Sequence, residues 1–211
     1  MAVIWDTLTA ERQRQFRLKR VVDIVISATL LVALSPLLLL IALAIRITSG
    51  SPVLYNWNVV GQFGHPFTGH KFRTMVRDAD QMKEDLLHLN EMNGGPVFKV
   101  KDDPRITPIG KILRKFSLDE LPQLGSVLVG EMSMVGPRPP LQSEYDHFED
   151  WQKRKLSVKP GMTSLWQVSG KPADFNEWLQ LDFEYIDRWS PWLDIKILLW
   201  TLGIVITGKN H

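Results

Sequence analysis

From Ile24 to Ile45 the chain carries no charged side chain for 22 residues, and this run limits what everything around it can become. At about 1.5 Å per residue, a helix of that length reaches roughly the ~30 Å of a bilayer core. Hydropathy alone therefore predicts a transmembrane helix. Two features oppose a simple span. Ser35-Pro36 stands at the midpoint, where proline removes a backbone donor and breaks or bends a helix. Both flanks are also basic, with Arg12, Arg14, Arg17, Lys19 and Arg20 before the run and Arg46, Lys71, Arg73 and Arg77 after it. A full span would put one basic cluster outside, against the positive-inside rule. A re-entrant helix–break–helix would leave both ends on the cytoplasmic side. The residues alone leave the two topologies open.

Residues 1–20 form a basic amphipathic arm, its cations interleaved with Phe16 and Leu18. Each cation close to anionic lipid contributes about 1 kcal/mol, so the arm is expected on the cytoplasmic membrane surface. It does not resemble a cleavable signal peptide, because the apolar run is long and no small-residue cleavage site ends it. The remaining composition fits one domain: 211 residues, net charge +2 and pI near 8.8, too mild a basicity for a nucleic-acid partner. The chain has no cysteine, in keeping with a reducing compartment. Six of its eight tryptophans lie from Trp151 onward, which points to an interfacial surface there.

The chemistry-bearing stretch runs from Lys111 to Pro139 and holds L-D-E-L-P-Q, then M-S-M-V-G-P-R-P. It sets adjacent carboxylates, Asp119 and Glu120, between Arg114 and Arg138. Neighbouring carboxylates repel, so such a pair suits a bound cation or a nucleophile. Arginine flanks suit phosphate, whose oxygens the guanidinium fork matches. Together these groups point to metal-assisted phosphoryl transfer. Ser117-Leu118-Asp119-Glu120 also fits a helix capping box, with Ser117 as N-cap and Glu120 at N3, and the two readings are compatible.

These motifs resemble the bacterial sugar transferases, monotopic phosphoglycosyl transferases, over nearly the whole chain from Lys19 to about Leu202. The resemblance implies transfer of a hexose 1-phosphate from a UDP-sugar to undecaprenyl phosphate, with release of UMP. It implies Asp119 as nucleophile, Mg2+ as cofactor with Glu120 its protein ligand, and Arg114 and Arg138 on phosphate oxygens. Lys71-Phe72-Arg73-Thr74-Met75 resembles the family's K-F-R-T-M segment and adds Lys71 and Arg73 as phosphate-binding candidates. Asp182 falls on the family's L-D-x-x-Y aspartate; on its own it reads equally well as an exposed helix acid. The resemblance also favours the re-entrant hairpin, broken at Ser35-Pro36 in the inner membrane with the catalytic domain on the cytoplasmic face. The residues leave the oligomeric state open, a homodimer through the soluble face included. The segment from Asn90 to Lys99 resembles members that use UDP-glucose or UDP-galactose. Three departures stand out: Val59 where an arginine is usual, Gly125-Ser126 for a bulky residue and asparagine, and Lys171 for the arginine closing W-Q-V-x-G-R. The last keeps charge but loses the bidentate fork.

The expected fold class is α+β: the arm (1–20), the hairpin (21–47), and a catalytic domain (48–211) ending in an interfacial helix. Within the domain, strands are expected at Pro52–Tyr55, Val97–Val100 and Leu165–Val168, with a hairpin or loop over Gly61–Phe72. Met82, Leu86 and Leu89 predict an amphipathic helix over Arg77–Glu91, and Asp102-Asp103-Pro104-Arg105 a turn rather than a metal site. Thr107-Pro108 reads as N-cap and N1 of a short helix, and Pro140–Leu156 as a longer one. Asp174 is expected to cap a helix through Arg188. Ile195–Ile206 is too short to span and, with Trp189 and Trp192 at its head, reads as interfacial. A catalytically idle membrane scaffold is the rival from another class, but it would have no use for Asp119, Glu120, Arg114 and Arg138 together. A nucleotide-sugar hydrolase would need water where the lipid acceptor should enter.

Overall fold

The computed structural model describes residues 10–208, so residues 1–9 of the predicted arm lie outside them. Helix α1 spans Ala10–Ala33 and passes from the basic arm into the apolar run without a break. Leu34 interrupts it with φ −92° and ψ 0°, and α2 follows over Ser35–Ser49, with Pro36 in its first turn. Proline is tolerated there because those first N–H groups have no intrahelical acceptor. Among the described residues no single helix is long and apolar enough to cross a bilayer; α1 and α2 pass only as a pair, bent by 60°.

The inner end of the arm is fixed to the domain, contrary to the expectation that its cations face lipid. Lys19 Nζ donates to Val135 O at 3.0 Å and pairs with Asp194 at 2.6 Å. Arg20 donates to the carbonyls of Val127 and Leu128 at 2.6 and 2.8 Å. Buried Asp23 accepts from Met134 N at 3.0 Å, and Phe16 stacks on Trp189 at 4.4 Å. Orphan carbonyls at the end of a helix attract cations, and the helix over Leu124–Val129 supplies them here. Arg12, Arg14 and Arg17 stay exposed.

Beyond the two helices, the described residues are α+β with two small sheets. Strands β1 (Leu54–Val60) and β2 (Pro66–Phe72) form an antiparallel hairpin, longer than the sequence suggested, with Trp57 opposite Gly69. Gly69 has no Cβ because the Trp57 indole lies across it: a Cβ would stand 2.3 Å from Nε1. Helix α3 (Pro108–Lys115) begins as expected, with Thr107 Oγ1 accepting from Gly110 N at 3.1 Å. A 3-10 segment, Leu118–Gln123, then leads into α4 (Leu124–Val129). Strand β3 (Ser133–Val135) pairs in parallel with β4 (Gly161–Thr163), and α7 (Phe175–Arg188) and α8 (Pro191–Thr207) close the chain. Between them, α5 (Gln142–Tyr145) and α6 (Leu165–Val168) are single turns.

Several sequence expectations change. Arg77–Glu91 is not an α-helix but a 3-10 segment over Gln81–Leu89 that buries no residue, so no packed face holds it. Val97–Val100 is not a strand; the Asn90 side chain fixes it by bonding Val97 O and Lys99 N. Pro140–Leu156 resolves into α5 and a 3-10 segment at Gln152–Ser157. Leu165–Val168 is helical because Ser164 Oγ caps it by accepting from Gln167 N at 3.2 Å. The turn at Asp102–Arg105 is present, locked by a buried Asp103–Arg105 ion pair at 2.6 Å. Asp174 caps α7 through Glu177 N at 2.9 Å.

The central core joins α4, β3, α7 and α8 through Leu124, Val127, Met134, Tyr185 and Ile197, with Ile26 and Leu30 of α1 packed onto it. A second cluster of aromatics (Phe148, Trp166, Phe175, Trp178) supports α7, and a third joins Ile41 and Ile45 of α2 to Phe72 and Leu113. Away from these contacts the hairpin is apolar and uncovered: Val32, Leu39, Leu40 and Ile47 are 65–76% exposed. Helix α8 repeats this, burying Ile197 while Leu199, Trp200, Leu202 and Ile206 face outward. Contiguous apolar surface of this kind marks an interaction face.

Candidate active site

The segment Leu118–Gln123 lies against β2, and this contact builds the site. Ser117 adopts a left-handed conformation (φ 52°) and makes no side-chain cap, so the capping-box reading of Asp119 and Glu120 does not hold. The preceding helix ends on Ser117 N, which bonds Arg114 O at 3.1 Å, and a tight 3-10 turn then presents both carboxylates.

Lys71 leaves β2 to meet Glu120, Nζ to Oε1 at 2.7 Å, and its ammonium lies 4.4 Å from the centre of the Trp57 ring. Burial pushes the Glu120 carboxyl up, but the charge and hydrogen bond of Lys71, helped by Arg138 and Lys171, bring it below its usual range. Asp119 behaves oppositely. Burial and the Glu120 charge raise it to about 6, against weaker pulls from Lys71 and Arg114. The pair is therefore split into one firmly ionised acid and one more basic carboxylate, the division expected where adjacent acids have different roles.

Arg114 is fixed by Nε donating to Thr74 Oγ1 at 2.9 Å, and burial lowers its pKa while Asp119 supports its charge. Arg138 follows Gly136 and Pro137 at a point where backbones nearly touch. A Cβ on Gly136 would stand 2.4 Å from Lys159 O, and Gly161 N donates to Pro137 O at 2.9 Å. This holds the arginine's base rigidly. Its guanidinium lies 5.3 Å over Trp178 and 3.7 Å from Glu144, and the buried Nη1 makes no hydrogen bond. With only that long ion pair to Glu144 and no hydrogen bond, Nη1 suits an incoming oxyanion, and the Arg138 charge also reaches Glu120.

The other candidates separate. Arg73, just past the end of β2, turns away and donates to Ser49 O and Gly50 O at the end of α2, so of these two cations only Lys71 pairs with the carboxylates. Asp182 is neither an exposed helix acid nor beside Asp119. It is 1% exposed and paired with equally buried Lys155 at 2.9 Å, below Trp178, with Arg138 contributing to its field. Its contact with the site runs through the support of Arg138.

Residues not singled out for the site now belong to it. Lys171, with φ 52°, sits in the field of both Glu120 and Asp119, and burial lowers its pKa. Its signal was its place in the W-Q-V-x-G-R pattern. Trp57 and Lys155 had no comparable sequence signal. Val59 is fully buried beside Leu141, so the usual arginine position is here part of the core. Gly125 faces open space, and Ser126 O collects the N–H groups of Gly130, Glu131 and Met132.

No cluster of three or more metal-ligating side chains occurs among the described residues. Two adjacent carboxylates nonetheless fit magnesium, which commonly takes one or two protein carboxylates and completes its octahedron with water and substrate phosphate. The mutual repulsion that raises Asp119 is what such a cation would relieve. Beside Glu120 opens a mainly apolar cavity of about 140 Å³, walled by Leu121, Met134, Met162, Val168, Leu198 and Ile204 and reaching α8.

Two adjacent acids of unequal proton affinity, with cations in their field, suit phosphate chemistry, and they stand on an α+β domain that carries an uncovered apolar helix pair. Residues 14–208 match the family described as bacterial sugar transferase, and the chain belongs to that family. It is 52% identical to the galactosyl transferase CpsE of Streptococcus agalactiae over 76% of this chain and 36% of that protein. It is 42% identical to the undecaprenyl-phosphate galactose phosphotransferase of Salmonella typhimurium over 93% of this chain and 42% of the other. With the exopolysaccharide production protein ExoY of Sinorhizobium fredii it shares 36% identity over 91% of this chain and 87% of that one. The chain thus spans less than half the length of the first two and most of the third.

Proposed function

We propose that this protein transfers a hexose 1-phosphate from a UDP-sugar to undecaprenyl phosphate at the cytoplasmic face of the bacterial inner membrane. The observation that carries this reading is the divided carboxylate pair, Asp119 near 6 and Glu120 held by Lys71, enclosed by Arg114, Arg138 and Lys171. An idle scaffold has no use for that arrangement. Relatives named for galactose and for glucose transfer to undecaprenyl phosphate favour UDP-galactose or UDP-glucose as donor. All these groups come from one chain, so a homodimer is not needed to complete the site.

In the first step an Asp119 oxygen attacks the β-phosphorus of the UDP-sugar. The bond from that phosphorus to the oxygen bridging the two phosphates breaks, and UMP leaves with the oxygen and the electron pair. Arg114 and Arg138 bind the non-bridging oxygens as charge develops. In the second step a phosphate oxygen of the lipid attacks the same phosphorus, and Asp119 departs as carboxylate, leaving a lipid diphosphate-sugar. A carboxylate nucleophile divides one difficult displacement into two. Magnesium, held by Glu120 with Asp119 beside it, would neutralise diphosphate charge.

Membrane placement follows from the uncovered apolar faces of α1, α2 and α8, which bilayer lipid covers on this reading. The bend at Leu34, with Ser35 and Pro36 opening α2, supports a re-entrant hairpin with both ends cytoplasmic. The apolar cavity between Glu120 and α8 offers the isoprenoid end of the acceptor a way to the carboxylates.

Incubation with UDP-sugar and magnesium, without lipid acceptor, tests the proposal. It predicts up to one equivalent of UMP per enzyme and a hexose-phosphate adduct on the peptide containing Asp119, both lost in Asp119→Asn. UMP release only after acceptor is added, with no adduct, would favour direct attack by the lipid phosphate in a ternary complex.

A further inference from the structure

The second large cavity lies away from the carboxylates, where the end of α2 meets the start of α3. It encloses about 420 Å³ and is lined by Thr48, Ser49, Arg73, Arg77, Thr107 and Pro108, among others. Arg73 is 6% exposed, and only its Nη2 is engaged, with the carbonyls of Ser49 and Gly50. Its Nε and Nη1 are buried and make no hydrogen bond. Buried donors are normally satisfied, so two idle nitrogens on one guanidinium call for an acceptor.

The surroundings specify its charge. Arg77 brings a second guanidinium, close enough that a Cβ on Gly50 (φ 74°) would stand 2.9 Å from its terminal nitrogen. Neither arginine forms an ion pair among the described residues, and the Arg77 charge, after burial, lowers the pKa of Arg73. The first turn of α3, at Thr107–Ile109, adds the positive end of a helix. Two like charges and a helix N-terminus facing one cavity are stable together when an anion lies between them.

We propose that this cavity is a binding site for a phosphate group, held by Nε and Nη1 of Arg73 and the guanidinium of Arg77. Arginine forks fit phosphate oxygens in paired fashion, and the cavity has room for a phosphodiester with its substituent. Its source is a phospholipid headgroup or free phosphate. The headgroup rests on the proposed membrane reading, which brings the end of α2 to the bilayer surface. None of the groups assigned to the transfer reaction lines the cavity. Thr74 lies between the sites: its Oγ1 accepts from Arg114 Nε and its carbonyl from Thr107 N.

The test uses the purified full chain in dodecyl maltoside. Dihexanoyl phosphatidylglycerol and inorganic phosphate are titrated separately and followed by 31P NMR. Wild type is expected to bind at least one, and Arg77→Gln to weaken that binding about tenfold, as loss of a charge-assisted contact implies. Arg77 is exposed, so its variant should fold, and Arg73→Lys, which keeps charge but not the fork, should weaken binding in the same direction. Phosphate held at Arg114 and Arg138 is indifferent to Arg77 and cancels in the comparison. The ligand whose binding falls identifies the source. Equal binding of both ligands by wild type and Arg77→Gln would overturn the site. Because the assay is in detergent, it does not depend on topology. Thiol labelling of cysteines at Arg14 and Glu91 in intact cells tests the membrane reading on its own.

Discussion

Two of the lysine–carboxylate pairs in this small domain, Lys155–Asp182 and Lys71–Glu120, do opposite things. Lys155 and Asp182 are each 1% exposed, sealed beneath Trp178 and Phe148. Lys71 and Glu120, at nearly the same separation, have side chains 21% and 24% exposed and open onto the proposed donor site. The sealed pair cannot exchange partners without opening the core, so it acts as a fixed support under Arg138. The open pair can release a carboxylate oxygen to a cation or substrate. Similar chemistry at similar distance thus becomes framework or machinery according to access, and the burial of both partners decides which.

The largest expected effect separates the machinery from both pairs. Asp119→Asn should lower transfer at least about a thousandfold, as loss of the proposed covalent nucleophile implies. The same change should stabilise the fold. With its pKa raised from 3.8 to about 6, Asp119 favours the folded state fully below about pH 4, and that contribution is lost as pH rises through about 6. Denaturant unfolding at pH 8 should therefore show Asp119→Asn more stable by up to about 3 kcal/mol, with no gain at pH 4. The wild-type rate should fall correspondingly as the pH drops below about 6.

Next comes the sealed pair. Lys155→Met leaves Asp182 buried without its partner and should cost about 3–5 kcal/mol, whereas Lys155→Met with Asp182→Leu should recover most of that in urea melts. A cost below about 1 kcal/mol for the single variant would mean that the pair is not sealed in solution. The smallest expected stability change belongs to the open pair. Lys71→Met should alter unfolding by no more than about 1 kcal/mol and lower kcat roughly 10- to 100-fold. Were the two lysines to exchange these signatures, access would not be what distinguishes them.

Much of this site was legible in the sequence because it is local. Asp119, Glu120 and Arg114 lie within one turn-rich segment, and Gly136-Pro137 announces a stiff support for Arg138. The supporting pair was not legible as a pair: Lys155 and Asp182 are far apart in the chain, Asp182 carried only its place in L-D-x-x-Y, and Lys155 reads as an ordinary surface charge until α7 brings them together. Lys71 and Arg73 show the limit from the other side. Their spacing in the chain suggests one role, yet the end of β2 sends one to Glu120 and the other to the end of α2. In the fold, capped helices such as α3 and α7 were readable from Thr107 and Asp174. The single-turn elements were not, because four residues carry no period and their stability comes from neighbours such as Ser164. The docking of Lys19 and Arg20 was equally hidden, since a basic arm beside an apolar run looks the same whether its charges meet lipid or carbonyl oxygens.

That docking has a consequence for how the protein meets its reactants. Lys19 on Val135 and Asp194, and Asp23 on Met134, rivet the hairpin entry to the strand that precedes the G-P-R-P turn. On the proposed membrane reading the carboxylates therefore ride at one fixed altitude above the hydrocarbon. The sugar donor arrives from a volume, but the acceptor and product move only in a plane, and turnover then follows how many acceptor molecules occupy each unit of membrane area. Diluting the bilayer with inert lipid should slow such a protein as effectively as removing acceptor, although nothing in the surrounding water has changed.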